Sequence, residues 1–335
     1  MGTISVQSDS MERLKGMSFT IIAILFFYLV LLTFFFQKTS RTFIFEQLAT
    51  KNKVEAIKDF FDSIIHDSKQ ALDISAKRAI SASISYVITN GIPLSDSKKS
   101  LEELMLNGTL NGAQESLMEG STLNDWKSKI EFVSRENGFF INISINSLEI
   151  KPYDSFNLMA ILNLTISLTD RQNTALINRN VSVERTINIE SFEDPLYPLN
   201  TLGRVTSVIQ RSPHLKSHLD LNQLNEDLNN SYYHPSLNGA SFLDRLEGKY
   251  FVQSKYRDLN NNYIGLESFV DKDKLASAGF TTYAERSNID YIYFSGTSVT
   301  TYRINGMPNN FRLDNETTID NLTHLQFYNV EDKII

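Results

Sequence analysis

Met17-Ser-Phe-Thr-Ile-Ile-Ala-Ile-Leu-Phe-Phe-Tyr-Leu-Val-Leu-Leu-Thr-Phe-Phe-Phe36 is the stretch on which the reading of this chain turns. Its 20 residues carry no charge. As an α-helix they reach about 30 Å, the thickness of a bilayer's hydrocarbon core. Arg13 and Lys15 stand before it, Lys38 and Arg41 after it. A buried core helix rarely runs so far without a charge or is apolar around its whole circumference. A secretory signal peptide needs a shorter apolar region followed by a small-x-small cleavage site, and Phe34-Phe35-Phe36-Gln37-Lys38 offers none. The stretch therefore predicts one retained membrane helix, Met17 to Phe36, with the lipid bilayer as its partner.

Beyond it, no Pro or Gly interrupts the chain from about Phe43 to Asn90. Val54, Ile57, Phe61, Ile64, Ser68, Ala71, Ser75, Ala79, Ala82 and Tyr86 recur at spacings of three and four, which marks one face of a long amphipathic helix. Asn90-Gly91-Ile92-Pro93 ends it, with Gly91 available for a left-handed cap. The small residues from Ser68 to Ala82 let another element approach closely, either the protein's own core or a second helix. Asp96 or a neighbouring Ser caps a short helix through Met105, and Thr122 caps another over Leu123–Glu136 that carries the only Trp, Trp126.

The period then changes from near 3.6 to 2. Ile141, Ile143 and Ile145 alternate with polar residues. Phe156, Leu158, Ala160, Leu162, Leu164, Ile166 and Leu168 share one face of a longer run whose other face holds Asn157, Met159, Ile161, Asn163, Thr165 and Ser167. Val181, Val183, Ile187 and Ile189 mark a third run. Three such runs with short connections predict an antiparallel meander. Ser191 to Pro198 reads as a boundary. After it come an expected short helix over Leu202–Gln210, a polar loop over Asn225–Pro235 and a short helix at Phe242–Leu246. Strand-like pieces follow at Tyr250–Val252, Gly265–Val270, Ile289–Phe294, Val299–Ile304 and Leu322–Val330. The fold class expected is α+β.

Net charge is −7 and no basic cluster is visible, which disfavours nucleic acid as a partner. The chain has no cysteine, so disulfides, thiolate catalysis and Cys-ligated metals are excluded. There is no Gly-x-Ser-x-Gly, no phosphate-cradling loop and no dinucleotide fingerprint, so no enzyme activity and no cofactor are expected. His214-Leu-Lys-Ser-His218 spaces two imidazoles for one helix face but lacks the adjacent Glu of a zinc protease. Asp271/Asp273 and Asp314/Glu316 are acidic pairs without the spacing of a calcium loop. Tyr232, Tyr233, Tyr283, Tyr291, Tyr293 and Tyr302 read either as sheet core or as a sugar- or protein-binding surface.

Lys15-Gly16 directly before Met17-Ser18-Phe19-Thr20 and the apolar helix resembles the processing site of type IV pilin-like proteins. The resemblance implies cleavage between Gly16 and Met17 by a prepilin peptidase, other pilin-like subunits as partners, and a long helix packed on an antiparallel sheet. The family's Glu at the fifth position after the cut is replaced here by Ile21, which points to a minor or pseudo-pilin or a simple anchor. The expected organisation is a leader over 1–16, a transmembrane helix over 17–36, a helical stalk region over 37–138, a sheet over 139–190, a linker over 191–211 and a C-terminal module over 212–335.

Orientation draws on opposed signals. Lys38, Arg41, Lys51 and Lys53 outnumber Arg13 and Lys15, which by the positive-inside rule draws the C-terminal mass inward. Asn-x-Ser/Thr sequons at Asn107, Asn142, Asn163, Asn180, Asn229, Asn315 and Asn321 are candidate N-glycosylation sites and favour the outside. With the resemblance added, the expectation is a single-pass protein of archaeal surface type with its bulk extracellular, structural or assembling in role. A surface ligand- or carbohydrate-binding receptor and a membrane-tethered hydrolase are the alternatives.

Overall fold

The computed structural model describes residues 6–335 apart from 173 and 215–218. One helix, α1 (Val6–Asn90), runs for 85 residues, about 130 Å. It begins ahead of the expected leader end, so Gly16 and Met17 lie within it. Its two halves have opposite surroundings. The window Ile22–Thr39 is wholly unburied, and Phe19, Ile24, Phe27 and Phe35 are more than half exposed. From Ile57 onward the same helix is the spine of the core, with Ile57, Ile64, Leu72, Ala76, Ile80 and Val87 almost inaccessible. Each large apolar side chain buried there contributes about 1.5–3 kcal/mol. Gly91 ends the helix at φ 64°, its N–H donating to the Val87 carbonyl at 2.9 Å, which is the stop its sequence predicts.

Helix α2 (Ser97–Asn107) is capped by Asp96. It lies against the small-residue face of α1, where the Ser75 hydroxyl donates to the Met105 carbonyl at 3.1 Å. A two-residue hairpin, β1 (Thr109–Leu110) with β2 (Ala113–Gln114), leads to α3 (Leu123–Glu136). Thr122 and Asp125 close a capping box at its start. Trp126 of α3 is buried against α1 and its indole N–H donates to Asp67 at 2.7 Å.

The meander follows as β3 (Phe139–Asp154), β4 (Asn157–Asp170) and β5 (Leu176–Asn188), antiparallel and in that order. Alternation along β4 is complete: Leu158, Ala160, Leu162, Leu164, Ile166 and Leu168 are buried toward the helices, and their neighbours are half-exposed on the outer face. Arg185 of β5 reaches Asp73 of α1 at 3.2 Å and so ties sheet to helix. The α+β expectation holds: a long helix packed on an antiparallel sheet, then further mixed structure.

The rest of the chain departs from the expected units. The stretch 191–211, read as a linker from its prolines, is packed: α4 (Leu196–Asn200) lies in it, and Asp194, Leu196, Tyr197 and Ile209 are buried. No helix forms over 202–210; Val208 instead bridges Glu193. Asn225–Pro235 is not a polar loop but most of α5 (Leu221–Asn230) and the start of β6 (Tyr233–Ser241). Asp220 and Gln223 form a capping box there, a signal that outweighs the weak helix propensity of the Asn residues.

After α6 (Phe242–Leu246), β7 (Gly265–Ser268) pairs with β6, and α7 (Lys272–Ser277) follows. At the β6–β7 contact a Cβ on Gly265 would fall 2.0 Å from the Gly239 carbonyl oxygen, so only glycine fits. Two segments read as strands are helices instead: α8 (Asp290–Ser295) in place of Ile289–Phe294, and α9 (His324–Phe327) within Leu322–Val330. Between them β8 (Thr301–Arg303) pairs with β9 (Arg312–Asp314).

The core does not divide at residue 212. Tyr233, Phe242, Leu246, Leu266 and Tyr293 belong to the same apolar cluster as α1 and the meander. A second cluster, around Phe269, Tyr291, Phe311 and Tyr328, fills the C-terminal end.

Candidate functional site

Three features stand out from ordinary packing: the bare half of α1, a set of buried charges in the C-terminal half, and a cleft beside them.

The first is the apolar arm. Between Ile22 and Thr39 every helical face meets solvent in the isolated chain. Thr33 and Thr39 turn their hydroxyls back onto the Val30 and Phe35 carbonyls, at 2.8 and 2.9 Å, so these two polar groups are satisfied within the helix. One N-terminal helix is thus long and apolar enough to cross a membrane. A core-helix reading is removed by its exposure.

The buried charges form three neighbouring groups. Arg245 of α6, wholly inaccessible, pairs with Asp194 and with Asp290 of α8, the latter at 2.9 Å. Its remaining nitrogens donate to the Ala240 carbonyl at 3.2 Å and to the Leu266 carbonyl. The Tyr233 hydroxyl donates to Asp194 at 2.9 Å, and the Ser268 hydroxyl donates to Asp290 at 2.8 Å. Burial opposes the guanidinium's charge, but Asp194 and Asp290 override it and hold its pKa above the usual value.

His324 of α9 is equally inaccessible and lies between Asp314 of β9 and Glu267 of β7, its Nε2 3.3 Å from Glu267. Burial alone would strip its proton. The two carboxylates prevail and push the pKa up to about 10. Burial likewise opposes the charge on Glu267 and Asp314, yet His324 and the hydrogen bonds around them hold both below their ordinary values. The Tyr328 hydroxyl donates to Glu267 at 2.7 Å.

The third group joins His234 of β6 to Asp227 of α5 at 2.8 Å, and the Ser212 hydroxyl donates to the same carboxylate at 2.9 Å. This carboxylate sits between hydroxyl and imidazole, not behind the imidazole as in a nucleophile–base–orienter relay.

His324 gives a pH prediction. Its folded-state pKa lies above the ordinary 6.5, so the stability it supplies is complete below about pH 6.5 and fades as the pH rises through about 10. Glu267 and Asp314 have depressed values; their share is complete above the ordinary carboxylate range and fades as the pH falls through those depressed values. Replacing His324 by Leu leaves two carboxylates buried together and is expected to cost about 3–5 kcal/mol near neutrality. Thermal unfolding of the full chain in detergent, followed from pH 5 to 10, checks this: the gap between the two proteins narrows toward pH 10, and a gap independent of pH contradicts the assignment.

The cleft has a volume of about 370 Å³ and opens between the β6 end, residues 251–253, α8 and Glu316. Phe251 and Tyr291 form its aromatic side, their rings edge to face with centres 5.5 Å apart.

The residues singled out from sequence are scattered over this framework. Gly16, Met17 and Phe36 all lie in α1, with Phe36 69% exposed. Asn107, Asn142, Asn180, Asn229, Asn315 and Asn321 are exposed. Asn163 is half-buried in the central strand, and its side-chain amide donates to the Ser147 hydroxyl at 2.9 Å. His214 pairs with Glu226 at 3.2 Å, whereas His218 lies outside the described residues. Asp271 caps α7, Asp273 accepts from Asn310 at 2.7 Å, and Asp314 is held by His324. Among the described residues no group of His, Asp and Glu is arranged to hold a metal ion. Tyr233, Tyr291 and Tyr293 are buried; α8 separates the last two, which an alternating strand would have placed on one face. Arg245, Glu267 and Asp290 were not singled out, since each looks in sequence like an ordinary surface charge.

Comparison of the chain with protein-family models, with curated proteins and with solved structures finds no match.

Proposed function

We propose that this is a single-pass, membrane-anchored surface protein of type IV pilin-like build, which carries its globular part outside the cell in a structural or assembling role. The observation that carries the reading is the division of α1: one continuous helix is bare and apolar over Ile22–Thr39 and becomes the core spine from Ile57. In a bilayer the bare half satisfies every backbone group internally and meets acyl chains with the side chains that water disfavours. The continuous helix transmits that anchorage to the body without a hinge-forming Pro or Gly between Met17 and Asn90.

A long helix lying on an antiparallel meander is also the layout the Lys15-Gly16 resemblance implies, so local sequence and architecture favour the same reading. Six exposed sequons favour the outward orientation. Asn163 is the exception: its amide nitrogen, the atom that would carry a glycan, is already donated to Ser147.

Processing gives the test. Mass spectrometry of the mature protein is expected to find Met17 at its N-terminus, with glycan mass on exposed sequons. Gly16→Trp is expected to leave the leader attached and the chain heavier by it. Equal mature masses, or masses that differ only by the Gly-to-Trp replacement itself, would remove the pilin-like part of the proposal and leave the anchor.

A further inference from the structure

We propose that the cleft beside α8 is a binding site for an organic cation, a primary ammonium or guanidinium group as on a Lys or Arg side chain or a polyamine. Its volume of about 370 Å³ is within the range of small-ligand sites.

The hydrogen-bonding inventory of the walls sets the ligand's chemistry. Asn238 donates its side-chain N–H to the Thr317 carbonyl at 2.6 Å, and Gln253 donates its own to the Phe251 carbonyl at 2.8 Å. A carbonyl partner fixes each amide's orientation, so each amide keeps its oxygen as an acceptor together with one further N–H. Glu316 adds a carboxylate that makes no ion pair or side-chain hydrogen bond among the described residues. The Thr297 hydroxyl is shared with Ser295 at 2.8 Å, and the Tyr291 hydroxyl is engaged with His324 at 3.3 Å. The one charged group left facing the cleft is the Glu316 carboxylate, and among the described residues no Lys, Arg or His lines it. A ligand rich in N–H groups finds three acceptors there, one of them charged, whereas an anion meets the Glu316 carboxylate with no cationic side chain among the lining residues to offset it.

Two further features favour a cation over a neutral polyol. Phe251 is 39% exposed and lines the cleft, and an aromatic face attracts an ammonium or guanidinium through the ring quadrupole. Behind Tyr291 lie Glu267 and Asp314 with a single cation, His324, between them, so the wall carries a net negative charge. The proposal is independent of membrane processing and of assembly.

Isothermal titration of the full chain in neutral detergent tests it with three probes: spermidine, N-acetyl-lysine methylamide and methyl glucoside. Both cations are expected to bind saturably and more weakly as salt rises, and the glucoside is expected not to bind. Glu316→Gln is expected to weaken both cations about tenfold or more, since a charge-assisted contact becomes a neutral one. Glu316 is exposed and its side chain bonds to nothing among the described residues, so this variant keeps the fold; Phe251→Ala serves as a second variant and is expected to weaken binding as well. Tighter binding of the peptidic probe assigns the site to a protein side chain, and tighter binding of spermidine to a free polyamine; both support it. Absence of saturable cation binding, unchanged binding by Glu316→Gln, or preference for the glucoside would overturn it.

Discussion

Replacing Arg245 by Met is expected to cost at least about 3–5 kcal/mol and to unfold the protein at temperatures where the parent chain is intact. The side chain is wholly inaccessible and joins α6 to Asp194, to Asp290 and to two backbone carbonyls. Its loss strands two carboxylates where water cannot reach them, and the desolvation cost of each then goes uncompensated. Arg245→Lys is expected to rescue little, because a single ammonium cannot span acceptors that the planar fork reaches together. Combining Arg245→Met with Asp194→Asn and Asp290→Asn is expected to recover much of the loss, since the unpaired charges disappear. Thermal unfolding of the four proteins separates the terms. A loss below about 1 kcal/mol for Arg245→Met would mean that the network is hydrated and not buried.

The second large effect concerns location. Ile24→Asp, Phe27→Asp and Leu31→Asp together are expected to move the chain from the membrane to the soluble fraction. Each charge at the centre of a span costs about 2.5–3.5 kcal/mol, so three oppose insertion by on the order of 8–10 kcal/mol. All three positions are more than half exposed and remote from the core that begins at Ile57, so the body's stability is expected to be unchanged. Retention of the triple variant in washed membranes would show that something other than this helix holds the protein there.

The parts of the fold legible in sequence are those in which one period repeats many times. The face from Ile57 to Val87 spans many turns of α1, and Phe156 to Leu168 alternates without a break, so chance matches are outvoted. In the C-terminal half the elements are too short for that. Asp290–Ser295 completes barely one and a half turns, and Tyr291-Ile-Tyr293 fits a strand's alternation as well as a helix's spacing. His324–Phe327 is four residues long, and its one true signal was the Thr323–Gln326 capping box.

The buried charges were illegible for a different reason. Asp194, Arg245 and Asp290 are separated by tens of residues, and only the folded chain brings them within hydrogen-bonding reach. A local hint existed in Phe242-Leu243-Asp244-Arg245-Leu246, where two charges are enclosed by apolar neighbours, and in the structure both prove inaccessible. The cleft left no trace in sequence either, because Asn238, the Phe251–Gln253 stretch and Glu316 come from separate segments, and the free acceptors of Asn238 and Gln253 follow from bonds made elsewhere.

The most direct measurement takes the unaltered chain in the cells that make it, extracts their membranes with alkaline carbonate, and treats a parallel sample of intact cells with protease. An anchored, outward-facing protein stays with the lipid through the alkaline wash, and its body is digested from outside while the cells remain closed. Recovery of the intact chain in the aqueous fraction, or a body resistant to protease until the cells are broken, contradicts the anchor and the orientation respectively.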